Sequence, residues 1–262
     1  MATARPVALI FDVFGTVVDW RTSVIDELTV FRDARGLKFD AVAFADAWRG
    51  LYQPSMEAVR SGARPYAPLD ELHRESLLTL LYTNGVNGLG PHEIEHLVTI
   101  WHRLRPWPDV VAGLTRLKRR HIIASCSNGN IRLMVNLARF GGLPWDMVLG
   151  AEIAQAYKPQ PAAYLKSCAA LGLEPAGVMM VAAHNRDLEV HARTACKPRS
   201  CCARPSMART RRPISTRRPT GRSRPPISPH WPMQWGAEHG GRGRDGIRDV
   251  IRIVTAACIL VD

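Results

Sequence analysis

One aspartate, Asp12, directly follows a mostly apolar run over residues 7–11 and is followed closely by Gly15. The run predicts a buried parallel strand, and the glycine predicts a turn at its end. Ligands of open α/β sheets bind at the carboxyl ends of the strands, so Asp12 is expected at the mouth of a site. A carboxylate held there can act as a covalent nucleophile. Taken alone, the motif is equally compatible with an Asp that only caps a loop.

Three further polar motifs each follow a predicted strand or loop. Residues 122–126 form a second strand-like run that ends in Ser127 and Asn128. Lys158 and a proline then open a helix-like segment over residues 161–171, and residues 178–183 form a third strand-like run before an acidic motif. Strands that alternate with helical segments predict an α/β fold with a parallel sheet.

The order of these four motifs resembles that of the haloacid dehalogenase superfamily, over residues 7–196. The resemblance implies an α/β fold in which residues 1–19 and 105–196 form a Rossmann-like parallel sheet core. Residues 20–104 would be an inserted helical cap domain, and apolar residues do recur at helical spacing within them. Such a cap would close over the strand ends and exclude water.

Position 14, two residues after the predicted nucleophile, separates two chemistries within the superfamily. Phosphatases of the superfamily carry a second Asp there, which protonates the leaving alcohol. This chain has Phe14. An aromatic ring cannot donate a proton, whereas a halide ion is a weak base and leaves without one. The sequence is therefore most similar to the 2-haloacid dehalogenases that form an aspartyl ester, and a phosphatase is the alternative.

The resemblance also implies which charged residues take part in the reaction. Asp12 would attack C2 of a 2-haloalkanoate, and the Lys158 ammonium would keep that carboxylate ionised. Arg49, which follows Trp48 in the predicted cap, would hold the substrate carboxylate or the departing halide. The alternative for Arg49 is the solvated face of an amphipathic helix. Weaker candidates for the same role are Arg21, Arg60 and Arg64.

Other motif residues are expected around the substrate. Ser127 and Asn128 would bind its carboxylate through hydroxyl, amide and backbone N–H groups, close to the N-terminus of a following helix. Thr16 would hydrogen-bond the turn after the nucleophile. Tyr164 would line the site, although a Tyr packed on its own helix fits nearly as well.

The acidic motif departs from the pattern that many haloacid dehalogenases share. Asp187 keeps the position expected to orient the hydrolytic water, while His184 stands in place of an Asn. His184 could activate water, since imidazole titrates near neutral pH, or it could only anchor Asp187. Asn185 and Phe14 are expected to contact the substrate or halide. No metal or other cofactor is expected, because Lys158 can balance the charge for which phosphatase relatives use Mg²⁺.

The net charge of +12 is concentrated in the C-terminal tail. Residues 1–196 contain 21 basic and 19 acidic side chains, whereas residues 197–262 contain 14 and 4. The tail is rich in Arg and Pro where the family would supply a further strand and helix. It is either a disordered basic tail that binds nucleic acid or the product of a shifted coding frame near residues 195–197. The shifted frame is favoured because the change in composition falls where the family would still supply a core strand and helix. A shifted frame gives no reason to expect nucleic acid as a partner.

Composition and hydropathy set the expected location. No apolar stretch reaches the roughly 18 residues that span a bilayer, and no signal peptide is visible. We therefore expect a cytoplasmic enzyme with a small 2-haloacid substrate and no membrane partner, and homodimer formation is left open. The six cysteines show no metal-ligand spacing, and Cys126 is expected to pack as a small apolar residue.

Overall fold

The computed structural model describes residues 6–183. The predicted residues His184, Asn185 and Asp187, and the whole tail over 197–262, lie outside the described residues. The strands are β1 (Ala8–Phe11), β2 (Val18–Asp19), β3 (Arg105–Pro106), β4 (Ile122–Ser127), β5 (Met147–Gly150) and β6 (Val178–Val181). The helices are α1 (Trp20–Ala34), α2 (Ala41–Arg60), α3 (Leu69–Thr83), α4 (Pro91–Val98), α5 (Val110–Lys118), α6 (Ile131–Gly141), α7 (Ala151–Ala154) and α8 (Pro161–Ala170). Short 3₁₀ helices span Thr99–His102 and Pro175–Gly177.

Four strands form a parallel sheet in the order β5-β4-β1-β6. Ile10 of β1 pairs with Ala124 of β4 on one side and with Met180 of β6 on the other. Because the four strands run in the same direction, their carboxyl ends meet at one edge of the sheet. The predicted α/β fold with a parallel sheet is confirmed, and that edge carries Asp12 and Ser127.

Helices cover both faces of this sheet, which explains why its strands are almost entirely apolar. Side chains alternate between the faces along each strand. Leu9 and Phe11 belong to the larger buried cluster, together with residues of α2, α5 and α6. Ala8 and Ile10 belong to a smaller cluster, together with residues of α8. The nucleophile candidate therefore follows a strand that is fixed from both sides.

Four helices, α1 to α4, occupy the segment predicted as a cap. Two of them begin at aspartates whose side chains accept hydrogen bonds from backbone N–H groups, as preferred N-caps do: Asp19 before α1 and Asp40 before α2. On α2 the buried residues include Phe44, Trp48 and Met56, which follow the predicted helical period. The division of the chain into core and cap remains a prediction.

A two-residue antiparallel ladder joins the ends of this helical segment. Val18 of β2 pairs with Pro106 of β3, and Asp19 pairs with Arg105. The chain therefore leaves the sheet edge and returns to it at neighbouring points. None of the helices within residues 6–183 combines the length and the apolar character that a bilayer span requires.

Candidate active site

Asp12 directly follows β1, and its side chain is almost fully buried. Its Oδ1 atom lies 2.8 Å from Lys158 Nζ, and its Oδ2 atom accepts a hydrogen bond from Thr16 Oγ1 at 2.7 Å. Its backbone N–H donates to Val181 O at the end of β6 (2.9 Å). A buried carboxylate is costly unless it is paired, so the Lys158 ammonium is the counter-charge that allows an ionised Asp12 here. The structure brings the predicted nucleophile and its predicted cation together.

Thr16 lies in the turn that follows Asp12. Gly15 adopts a φ of 87° there, in the left-handed region that glycine enters without strain. The Thr16 hydroxyl donates to Asp12 and accepts a hydrogen bond from the backbone N–H of Ala183 at 3.0 Å. Thr16 thus connects the nucleophile candidate to the segment after β6, which leads toward the predicted acidic motif.

The loop after β4 holds Ser127 and Asn128 close to Lys158. The Asn128 Oδ1 atom accepts a hydrogen bond from the Lys158 backbone N–H at 2.7 Å. Ser127 Oγ accepts one from the Gly129 N–H at 3.0 Å, which closes a tight turn. A Cβ at Gly150, at the end of β5, would lie only 2.0 Å from Ser127 O, so two backbones meet there without room for a side chain. The ends of β4 and β5 and the backbone at Lys158 therefore position this loop.

The helix α6 begins beside this loop, but its first N–H group is already bonded. The Ile131 N–H donates to the Glu152 carboxylate of α7. The predicted helix does begin close to Ser127 and Asn128, and a protein carboxylate occupies one of its N-terminal donors. Asn130, the N-cap residue, is directed toward the helical segment through its contacts with Asp70 of α3.

Arg49 lies on α2 and is held between two aromatic rings. Its guanidinium carbon is 4.0 Å from the centre of the Tyr52 ring and 5.2 Å from that of Trp20. The Nη1 atom is buried and has no hydrogen-bond partner among the residues that the structure describes. Cation–π contacts fix the plane of a guanidinium and leave its N–H edge available. Arg49 is therefore a preoriented donor, not a residue of a solvated helix face.

The weaker arginine candidates have other partners. Arg21 pairs with Asp46 and Arg64 pairs with Glu75, both pairs at the surface of the helical segment. Arg60 donates to the backbone oxygen of Lys158 at 3.1 Å. Arg60 thus supports the segment that carries Lys158, a contact that its place in the sequence did not reveal.

Phe14 is buried in an aromatic cluster beside Arg49. Its ring meets that of Tyr52 edge to face at 6.4 Å and that of Trp101 at 5.8 Å. Burial raises the pKa of the Tyr52 hydroxyl, while Arg49, a hydrogen bond with Asn128 and the charge of Lys158 act in the opposite direction. The aromatic cluster therefore links α2 to the loop after β4.

His73, which sequence reasoning missed, lies behind this cluster. Its ring stacks on Trp101 at 4.4 Å, and both ring nitrogens are buried without a hydrogen-bond partner in the described part of the chain. Burial, with a smaller contribution from the charge of Arg49, lowers the pKa of His73 to about 3, so the ring is neutral at neutral pH. No motif marks it, because its surroundings come from elements distant in sequence.

Tyr164 and Cys126 pack on the face of the sheet that α8 covers, opposite the larger buried cluster. Tyr164 is fully buried on α8 in the smaller core cluster, beside Ala163 and Cys168. Cys126 is buried in the same cluster, as expected of a small apolar residue. The role of Tyr164 at the substrate stays a prediction, as do those of His184, Asn185 and Asp187. Within residues 6–183 no three His, Cys, Asp or Glu side chains gather as a metal-binding group.

Comparison with known proteins gives consistent matches. The family described as haloacid dehalogenase-like hydrolase matches residues 7–188. An (S)-2-haloacid dehalogenase of Xanthobacter autotrophicus is 31% identical over 188 residues, which cover 69% of this chain and 69% of that protein. The (S)-2-haloacid dehalogenase 4A of Burkholderia cepacia is 28% identical over 184 residues, covering 69% and 76%.

Solved structures give matches of the same kind. The defluorinating L-2-haloacid dehalogenase Rha0230 has 45% identity and a TM-score of 0.72, over 74% of this chain and 83% of that one. The L-2-haloacid dehalogenase PA0810 has 43% identity and a TM-score of 0.70, over 73% and 82%. The family match over residues 7–188 contains the sheet, the helical segment and Asp12.

Proposed function

The chain belongs to the haloacid dehalogenase-like hydrolase family, and on this premise we propose that it hydrolyses 2-haloalkanoic acids to 2-hydroxy acids. The observation that carries the proposal is the buried pair of Asp12 and Lys158 with an aromatic ring, Phe14, two positions after the carboxylate. Relatives named as (S)-2-haloacid dehalogenases support the same substrate class.

In the first step, Asp12 attacks C2 of the substrate. A carboxylate lone pair forms the C–O bond while the carbon–halogen bond breaks, and the halide leaves with the bonding pair. Attack from the side opposite the halide inverts C2. The negative charge moves from the nucleophile to the halide, so a cation is needed where the halide departs.

Arg49 supplies that cation in our proposal. Its buried Nη1 donor and its stacking on Tyr52 support a fixed anion-binding edge close to the strand ends. A guanidinium suits this place because it stays charged and presents donors in a plane. Ser127 and Asn128 would hold the substrate carboxylate, and their loop is fixed by the hydrogen bond between Asn128 and Lys158.

In the second step, water attacks the carbonyl carbon of the Asp12 ester. The 2-hydroxy acid leaves, and Asp12 is regenerated as a carboxylate. Asp187 would orient this water, and either Asp187 or His184 would take its proton. We propose that neither a metal nor another cofactor takes part, since Lys158 can stabilise the charge on Asp12. A cytoplasmic location belongs to the same proposal.

A phosphatase activity is not favoured. Phe14 fills the position from which an acid would protonate a leaving alcohol, and its neighbours Tyr52 and Trp101 offer aromatic surface there. The competing classes are separated by measuring halide release from 2-chloropropionate against phosphate release from a phosphate ester with Mg²⁺. Phosphate release alone would contradict the proposal.

The ester step has its own experiment. With enzyme in excess over substrate in H₂¹⁸O, a single turnover should place ¹⁸O in the Asp12 carboxylate and leave the first 2-hydroxy acid unlabelled. This follows because water attacks the ester carbon and not C2. Mass spectrometry of the peptide that contains Asp12 provides the measurement. Label in the first product instead would mean direct attack of water on the substrate.

A further inference from the structure

Four polar side chains connect α3 to α6, and we call them the Asp70 cluster: Asp70, His102, Asn130 and Asn136. Asp70 Oδ1 lies 3.0 Å from His102 Nε2, and Asp70 Oδ2 accepts a hydrogen bond from Asn130 Nδ2 at 3.0 Å. On the far side of the imidazole, His102 Nδ1 lies 3.0 Å from Asn136 Nδ2. His102 and Asn130 are 3% and 5% exposed, whereas Asp70 is half-buried and Asn136 lies at the exposed end of the cluster.

The pairing of Asp70 with Asn130 is reciprocal. While the Asn130 amide donates to the carboxylate, its Oδ1 atom accepts a hydrogen bond from the Asp70 backbone N–H at 3.3 Å. A neutral His102 satisfies the remaining contacts, because Nε2–H can donate to Asp70 and Nδ1 can accept from Asn136. Hydrogen bonds from His102 and Asn130 keep the pKa of Asp70 below its usual value even though burial acts to raise it. The cluster therefore holds a fixed carboxylate with each oxygen bonded.

On one side, the cluster is continuous with the loop that carries Ser127 and Asn128. Asn130 ends that loop, and Asn128 is bonded to the Lys158 backbone at 2.7 Å. Gly129 lies between them, and a Cβ there would lie 2.6 Å from the end of the Met134 side chain, which would have to move aside. The loop is thus fixed at one point by the segment that carries the active-site cation and at another by Asp70.

On the other side, the cluster is continuous with the helix that carries Arg49. Asp70 lies in the first turn of α3, and His73 follows one turn later. The His73 backbone oxygen accepts a hydrogen bond from Trp48 Nε1 of α2 at 3.1 Å, next to Arg49 in the chain. A shift of α3 relative to α6 would therefore change the distance between Arg49 and the loop.

We propose that Asp70 and Asn130 are positioning residues that set the spacing between the carboxylate-binding loop, residues 127–130, and Arg49. The substrate has two anionic ends, its carboxylate and its developing halide, and the two groups that bind them come from different parts of the chain. The Asp70–Asn130 pair joins the loop to α3, in addition to the contact between Asn128 and Tyr52 of α2. This inference rests on the proposed function for its effect on substrate, but not for its effect on the loop.

Exchange of the two side chains is the sharpest test. Asn130→Asp alone places two carboxylates side by side and should raise KM for 2-chloropropionate about 10-fold, because the loop is displaced from its position. Asp70→Asn alone should have a smaller effect in the same direction. The double variant Asp70→Asn with Asn130→Asp restores one amide and one carboxylate, so KM should return to within about threefold of wild type.

A second measurement does not depend on activity. Hydrogen exchange of the backbone amides over residues 127–131 should accelerate in the full-length Asn130→Asp chain and slow again in the double variant. Glu75→Gln is the matched control. Glu75 lies on α3, as Asp70 does, and the substitution removes only its surface ion pair with Arg64. It should change neither KM nor exchange of the loop.

Two results would overturn the inference. One is a lowered Tm in the single variants with KM and loop exchange both unchanged, which would make the cluster purely structural. The other is a double variant that recovers neither property. If wild-type protein releases no halide, the proposed function fails, and the positioning role is then decided by hydrogen exchange alone.

Discussion

Lys158 Nζ and Asp12 Oδ1 lie 2.8 Å apart although 146 positions separate the two residues in the chain. The pair is buried, so each charge depends on the other for its stability. In the proposed mechanism, attack by Asp12 on a carbon atom neutralises the carboxylate, and Lys158 loses this counter-charge until the ester is hydrolysed. The geometry therefore favours return of the carboxylate in the second step.

Asp12→Asn should abolish halide release, since an amide cannot attack C2. Under single-turnover conditions with 2-chloropropionate we expect a loss of at least about a thousandfold. Asp46→Asn is the control, because Asp46 is a half-exposed carboxylate paired with Arg21. Release near the wild-type level in Asp12→Asn would refute the covalent mechanism.

Arg49→Ala should lower halide release much more than Arg21→Ala. Arg49 has a buried donor beside the aromatic cluster, whereas Arg21 is half-exposed and pairs with Asp46. Arg49→Lys should also be impaired, because an ammonium cannot stack flat on Tyr52 or present two donors in one plane. Steady-state halide release from the three variants provides the comparison. Equal losses in Arg49→Ala and Arg21→Ala would remove Arg49 from the site.

EDTA should leave halide release unchanged. In the proposed mechanism Lys158, and not a cation from solution, offsets the charge of Asp12. The measurement is the initial rate before and after chelation, with Mg²⁺ added back. A loss that Mg²⁺ restores would assign the protein to the metal-dependent phosphatase chemistry.

His73 should make the free energy of unfolding depend on pH between about 6.5 and 3. Burial lowers its pKa to about 3 in the folded protein, from 6.5 without that environment. Within this window the unfolded chain binds a proton that the folded chain does not, so stability falls as the pH falls, by up to about 1.4 kcal/mol per pH unit.

His73→Gln should remove this contribution and flatten the dependence, whereas His92→Gln, at an exposed position, should leave it in place. Urea unfolding at several pH values between 4 and 7 provides the measurement. Identical slopes for wild type and His73→Gln would show that His73 is protonated without cost in the folded protein.

Two glycine substitutions should act in opposite directions. Gly150→Ala forces a methyl group against the Ser127 backbone at a φ of 133° and should cost about 2 kcal/mol or more. Gly50 lies in α2, and a Cβ added there would meet no atom from the rest of the protein within 4 Å. Gly50→Ala should therefore stabilise the helix by about 0.5–1 kcal/mol. The Tm values of the two variants provide the test. A neutral Gly150→Ala would mean that the loop after β4 can move away.

Local patterns were sufficient to predict the elements that carry the motifs. The apolar run before Asp12 predicted β1 to within one residue, and the helix after Lys158 was predicted at 161–171 and lies at Pro161–Ala170. A strand that is buried on both faces and ends in a polar residue leaves a distinct signal. The strand β5 was missed because no polar motif follows its short apolar run, unlike the runs of β1 and β6.

Features that depend on several distant elements could not be predicted. Tyr52, His73 and Trp101 come from α2, α3 and a 3₁₀ helix, and their contacts have no sequence period. Asn130 looked like one more polar residue after Ser127 and Asn128, because its partner Asp70 is 60 positions away. Such contacts depend on how helices pack against each other, and no local pattern in a single sequence indicates that packing.

The short ladder between Val18 and Pro106 has an evolutionary consequence. Since the helical segment leaves and rejoins the sheet edge at paired residues, insertions, deletions or exchange of the segment need not disturb the strand that carries Asp12. In the proposed function, the nucleophile belongs to the sheet and the leaving group is contacted by the helical segment, so the two can change separately. A chimera that keeps residues 6–19 and 105–183 but takes its intervening helices from a relative should therefore retain ester formation and change its choice of haloacid.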